Sequence, residues 1–179
     1  IVRTGSKVPD ARKAAPVCKT NPEVARAAEV VILMLPDTPD VEQVLFGDEG
    51  VAAGLSKGKL VIDMSSISPI DTKRFAAKVN DLGCDYLDAP VSGGPKGAAE
   101  GKIFTFCGGP VDAFVRVRPI LALTGPTVVH FGPTGTGNVA KLIKNTLGAC
   151  NRLITYETVA LGVKIGLKLG DMERVINKS

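Results

Sequence analysis

The chain has 179 residues and a formal charge of +4, with 45% hydrophobic and 22% charged residues, a composition that excludes disordered, collagen-like and low-complexity chains and predicts a packed core. Its longest uninterrupted apolar run, Val30 to Leu35, is far short of the ~20 residues of a membrane-spanning helix. Lysines and arginines are spread along the chain with only 6 Phe and 2 Tyr among them, whereas a nucleic-acid surface clusters both kinds; a small anionic partner explains the charge as well, and most mildly basic proteins have no charged partner.

Short β-like runs alternate with helical periods, the signature of a parallel sheet covered by helices. Asn21-Pro22-Glu23 opens a helix through Ala28. Val30 to Leu35 reads as a strand buried on both faces and stopped by Pro36. Thr38 is expected to cap the next helix, with Pro39 at its first position and Val41, Val44 and Leu45 on its apolar face. Lys59 to Asp63 is the following strand, and Ser68-Pro69 starts a helix with Ile70, Phe75, Ala76 and Val79 facing the core. Strands at Cys84–Asp88, Ile103–Cys107 and Thr127–Phe131 follow, the last two separated by a helix from Asp112 to about Leu123.

After Gly132 the pattern changes. From Gly137 to about Gly166 apolar residues recur at a helical period, including Val139, Leu142, Ile143, Leu147, Leu153, Ile154 and Leu161. Some thirty residues at 1.5 Å each make a helix of roughly 45 Å. Such a helix is expected to leave the α/β lobe and begin a helical one, with a second helix starting at Gly170-Asp171-Met172. The predicted domains are 1–133 and 134–179. Ile1 to Gly5 shows neither an initiator Met nor the plan of a signal peptide and reads as the interior of a longer chain. Cys18, Cys84, Cys107 and Cys150 form no C-x-x-C pair, and His130 alone cannot complete a zinc site with them. They read as buried free thiols of a cytoplasmic protein without a metal.

Four segments carry chemistry. Met34-Leu35-Pro36-Asp37, Asp63 to Pro69 and Asp88-Ala89-Pro90-Val91-Ser92-Gly93-Gly94 each follow a strand's carboxyl end, where open α/β sheets bind ligands. In the second, Ser65-Ser66 can meet a ribose, phosphate or carboxamide, or simply cap a helix. In the third, consecutive glycine amides beside a serine hydroxyl can form a concave site for a carboxylate, or an ordinary turn. No G-x-S-x-G elbow is present and His130 sits mid-strand, against a Ser-His-Asp hydrolase. The fourth segment, Gly132 to Lys141, looks like a phosphate loop but lacks the G-x-x-x-x-G-K-[ST] spacing. Lys141 and Asn145, at i and i+4, share a helical face, as a reactive pair or as a solvated one.

In combination, Met34-Leu35-Pro36, Ile62-Asp63-Met64-Ser65-Ser66, Asp88 to Gly94, and Gly135-Thr136-Gly137 with Lys141 and Asn145 resemble the β-hydroxyacid dehydrogenase family, related to 6-phosphogluconate dehydrogenase. The resemblance covers essentially the whole chain. It implies a Rossmann-type doubly wound α/β domain followed by the start of an all-α domain on the long helix. It also implies hydride transfer between NAD or NADP and a small β-hydroxyacid. Reduction of tartronate semialdehyde to glycerate is the nearest match, with 3-hydroxyisobutyrate oxidation as the alternative. By the same resemblance Leu35, Pro36, Asp40 and Ser66 line the cofactor, Ser92, Gly93 and Gly94 hold the substrate carboxylate, and Lys141 is catalytic, assisted by Asn145. Arg3 and Thr4 would lie where the adenosine ribose is read, and an arginine there suits the 2′-phosphate of NADP.

The chemistry of the residues agrees. A lysine of ordinary pKa, ~10.4, is protonated at neutral pH and needs little tuning to act as an acid, which favours the reductive direction. Two departures stand out. The fingerprint G-x-G-x-x-G after a first strand does not occur in the chain and would be expected ahead of Ile1, and Lys144 stands where relatives commonly carry Asn. Relatives are usually dimers or tetramers built through the helical domain, so a homo-oligomer is implied. A non-catalytic Rossmann-like binding module is the rival from another class, and the presence of both Lys141 and Asn145 weighs against it.

Overall fold

The computed structural model describes residues 16–178; Arg3 and Thr4 lie outside them. In chain order the elements are α1 (Asn21–Ala27), β1 (Val30–Leu33), α2 (Thr38–Phe46), a 3₁₀ turn at Val51–Gly54, β2 (Leu60–Asp63), α3 (Pro69–Asn80) and β3 (Asp85–Asp88). Then come β4 (Val91–Ser92), α4 (Gly94–Ala99), β5 (Phe104–Gly108), α5 (Val111–Ala122), β6 (Thr127–Gly132), α6 (Thr136–Lys164) and α7 (Leu169–Ile176).

Strands β1, β2 and β3 are parallel and in step, so that Leu33, Asp63 and Asp88 end side by side. The expected parallel sheet stops there. Beyond β3, β5 runs antiparallel to β3 and β4, and β6 is parallel to β5. The connection 93–103 holds the short helix α4, with Gly93, Gly94 and Gly101 at positive φ. Its glycines turn the chain back. The segment from Asp88 to Ser92 keeps one register against β5, pairing Asp88 with Gly108, Val91 with Thr105 and Ser92 with Phe104, and the Phe106 amide donates to the Pro90 carbonyl at 2.9 Å.

Helices cover both faces of the sheet. On one, Val31, Leu33 and Val61 pack with Val41 and Leu45 of α2 and Phe75, Ala76 and Val79 of α3. On the other, Leu60, Ile62, Leu87 and Cys107 pack with Ala113, Phe114, Val117 and Leu121 of α5. Lys59 closes the end of α1, its ammonium donating to the carbonyls of Ala25, of Arg26 at 2.9 Å and of Ala28 at 2.9 Å.

Several local expectations are corrected. Strand β1 is not buried on both faces. Ile32 is 40% and the following Met34 64% exposed, and Met34 borders an apolar groove with Met64, Val91, Gly94, Pro95 and Leu123. The cap of α2 is Asp37, whose carboxylate accepts from the Thr38 amide at 2.7 Å, with Pro39 one position further in. Thr38 instead accepts from the Ser68 amide at 3.2 Å, bridging two loops. Ile70 is 82% exposed: the buried stripe of α3 is Thr72, Phe75, Ala76 and Val79, and Ile70 lies off it. Of the cysteines, Cys84 and Cys107 are buried, Cys18 is half-buried and Cys150 exposed.

Two compact units divide within α6, between Lys141 and Leu142. In the second, the Leu167 amide donates to the Gly162 carbonyl at 3.0 Å and Gly166 takes φ +99°, turning the chain from α6 into α7. Leu142, Ile143, Leu147, Leu153, Ile154 and Leu161 of α6 are exposed. No helix among the described residues is long and apolar enough to cross a membrane.

Candidate active site

The parallel strands deliver three loops to one edge, and buried polar side chains tie them together. Asp63, at the end of β2, accepts from the Ser65 amide at 2.9 Å and from the Tyr86 hydroxyl at 2.8 Å. Ser65 accepts from the Leu35 amide at 2.9 Å, fixing the loop after β1 to the loop after β2. Burial pushes the Asp63 carboxyl above its ordinary range, against the Ser65 and Tyr86 hydrogen bonds, and pushes the Tyr86 phenol well up. Beside this anchor Leu35 and Asp40 are half-buried, whereas Pro36 and Ser66 are exposed.

The second group lies along the ladder from β3 through β4. Gly93 and Gly94 take φ +138° and +61°, left-handed conformations that an L side chain resists, and Gly94 opens α4. Ser92 pairs with Phe104. Directly paired residues of an antiparallel ladder share a sheet face, and so do positions two apart on one strand. Ser92 therefore faces the same side as Phe104 and Phe106, whose rings lie 4.5 Å apart. The Lys141 ammonium stands over the Phe106 ring, 5.8 Å from its centroid. Lys141, 8% exposed, and Ser92 thus belong to one face of one ladder. Asn145 is exposed, on the next turn of α6 and within the second compact unit.

Asp88 and Asn138 escaped the sequence reading as individual site residues. The Asp88 carboxylate accepts from the Gly135 amide at 2.7 Å and the Asn138 amide at 2.8 Å. Burial raises its pKa against these same bonds. The Asn138 side chain accepts from the Ile67 amide at 3.1 Å and donates to Thr72 Oγ1 at 3.1 Å. The one sequence signal was a pair of polar residues inside otherwise small, glycine-rich motifs.

The Gly135-Thr136-Gly137-Asn138-Val139-Ala140 run, between a strand and a helix, has the look of a dinucleotide phosphate loop. Its amides, however, already meet the Asp88 carboxylate, so the anion at this helix start is part of the chain. The chemistry of the β1 and β2 loops, an exposed Ser66 hydroxyl beside backbone anchored at Leu35, fits the nicotinamide-ribose side of a dinucleotide.

Residues 2–132 match the model of the NAD binding domain of 6-phosphogluconate dehydrogenase. The chain is 45% identical over 148 residues to 2-hydroxy-3-oxopropionate reductase of Escherichia coli, covering 83% of this chain and 51% of that protein. It is 40% identical over 157 residues to 3-hydroxyisobutyrate dehydrogenase of Pseudomonas aeruginosa, covering 88% and 53%. The solved structure of Mycobacterium tuberculosis 3-hydroxyisobutyrate dehydrogenase with L-serine superimposes with a TM-score of 0.91 at 31% identity, over 99% of this chain and 60% of that one. The chain spans about half the length of the curated relatives it matches. The fold is Rossmann-type, and the chain belongs to the family of the 6-phosphogluconate dehydrogenase NAD-binding domain.

Proposed function

We propose that the protein carrying this chain is an NAD(P)-dependent β-hydroxyacid dehydrogenase working chiefly as a reductase of tartronate semialdehyde, 2-hydroxy-3-oxopropionate, to glycerate. The observation that carries the reading is the Lys141 ammonium over Phe106, on the sheet face that Ser92 shares through its pairing with Phe104. The 45% identity to the Escherichia coli reductase supports the substrate.

In this reading Leu35, Pro36, Asp40 and Ser66 hold the nicotinamide cofactor, with Arg3 and Thr4 at its adenosine end. When bound, the cofactor supplies or accepts the hydride. Ser92 and the amides of Gly93 and Gly94 orient the substrate carboxylate. The Lys141 ammonium donates a hydrogen bond to the carbonyl oxygen, stabilises the charge that develops there as hydride arrives, and gives up its proton to form the alcohol. In the oxidative direction the neutral amine takes that proton back. Asn145, one turn along α6, assists Lys141, and Arg3 favours NADP. The substrate is small and anionic, and the working protein is a homo-oligomer with no nucleic-acid partner.

The test is steady-state turnover of tartronate semialdehyde with NADPH and NADH, beside oxidation of 3-hydroxyisobutyrate, by the full-length protein. Preference for tartronate semialdehyde is expected. Preference for 3-hydroxyisobutyrate replaces the substrate within the same chemistry, and inactivity on both refutes the reading. Lys141→Ala should lower kcat by at least ~100-fold with cofactor affinity nearly intact.

A further inference from the structure

Helix α6 is capped from a distance. Helices commonly start on a local Ser, Thr, Asp or Asn, but here the amides of Gly135 and Asn138 point at a carboxylate 47 and 50 residues earlier, at the end of β3. Four residues beyond Asp88 on the same ladder is Ser92, so one strand segment carries both the helix cap and the Ser92 turn. Asn138 adds a second tie. Its amide group reaches the Ile67 backbone and Thr72 Oγ1, in the loop after β2 and the first turn of α3. Asn138 is 2% exposed and Asp88 fully buried, so water does not replace these partners. Lys141 follows Asn138 by three residues, a rise of about 4.5 Å along the axis. Any tilt of the first turn passes to its side chain.

We propose that Asp88 and Asn138 are positioning residues: together they lock the first turn of α6 to the ends of β3 and β2 and thereby set where the Lys141 ammonium stands relative to the Ser92 turn and the Ser66 loop. Neither touches substrate. The inference rests on the reading of Lys141 as catalytic, since its effect on turnover runs through that group. Packing alone would need only that the helix be seated, whereas misplacing a reacting group by about 1 Å costs up to ~100-fold in rate.

The experiment is a double-mutant cycle in the full-length enzyme. Asp88→Asn keeps the shape but sets an NH2 group against one of two amide donors, and Asn138→Ala removes both side-chain bonds. Each is measured alone and in a Lys141→Ala background with methylammonium supplied as a diffusible proton donor. With Lys141 present, kcat should fall by roughly 10- to 100-fold for each, with both KM values within about threefold. With Lys141 absent, the same substitutions should change the amine-supported rate by less than about threefold, since nothing remains to be positioned. Equal losses in both backgrounds, or a loss carried by KM, overturn the inference. Should Asp88→Asn not fold, Asn138→Ala decides by the same comparison. A Lys141→Ala enzyme active without added amine defeats the functional reading itself, whereas one inactive without it, beside unimpaired Asp88→Asn and Asn138→Ala enzymes, defeats the positioning alone.

Discussion

Gly137→Ala tests the seating of α6 because two effects of opposite sign meet there. Helix propensity alone would make alanine more stable by about 1 kcal/mol. Packing reverses this. A Cβ on Gly137 would meet the Asp88 carbonyl oxygen at 2.7 Å and its Oδ2 at 2.9 Å, with the Phe106 carbonyl oxygen closer still. Two of these atoms are backbone of β3 and β5, so the helix has to move. Overpacking of this kind costs about 1–3 kcal/mol. The same movement loosens the Gly135 and Asn138 bonds to Asp88, at about 1 kcal/mol each. Less the propensity gain, the variant should lose roughly 2–4 kcal/mol, read from urea unfolding with the denaturant slope unchanged. Gly97→Ala is the control: in α4 its Cβ would meet nothing nearer than the Lys102 carbonyl at 3.5 Å, so stability should hold or rise by up to about 1 kcal/mol. A Gly137→Ala protein as stable as the parent would refute the seating of α6 against Asp88 and Phe106.

Three further outcomes are expected. Ser65→Ala leaves the Leu35 amide without its hydroxyl acceptor; it should cost about 1–3 kcal/mol and raise the cofactor KM more than it lowers kcat, and an unchanged cofactor KM would show that this tie does not hold the loop. Asp63 has a folded-state pKa above the 3.8 of an ordinary aspartate, so the native state binds more protons between the two values. Its contribution to stability is complete below 3.8 and is lost as pH rises through the folded value. Wild-type stability relative to Asp63→Asn should therefore decline with rising pH in urea titrations, and an increasing advantage would contradict the burial argument. Cys107 is buried, with its thiol pushed up to about 12. Alkylation at mild alkaline pH, followed by peptide mass, should find it unmodified until the protein unfolds, and labelling at the rate of a free thiol would show that the β5–α5 core opens.

Local physics made much of the fold legible. The runs before Pro36, before Asp63 and before Asp88 are strands because each is short and punctuated, the first two rich in Val and Ile, and they end where the chemistry-bearing loops begin. What escaped was set by partners distant in sequence. The turn after Ser92 sends β5 back antiparallel, and no periodicity within Ile103 to Cys107 distinguishes that direction from the parallel one. Ile70 is as apolar as Phe75, and only the stripe completed by Thr72, whose hydroxyl meets the Ser68 carbonyl and the Asn138 amide, leaves it outside.

The glycine run that opens α6 shows the same limit on the functional side. Close approach of an anion to a helix start demands small residues whether the anion is a phosphate or a carboxylate of the protein, so the motif alone names the geometry and leaves the occupant open. Here the occupant is Asp88, and a Cβ at Gly108 would meet its Oδ1 at 2.7 Å just as one at Gly137 would meet Oδ2 at 2.9 Å. Both glycines serve an internal contact. A carboxylate fixed there takes the place a ligand would have, which turns a binding motif into a joint: the helix that carries Lys141 is held by the strand that leads to Ser92. Lysine and serine are then brought to one face by a single segment of backbone.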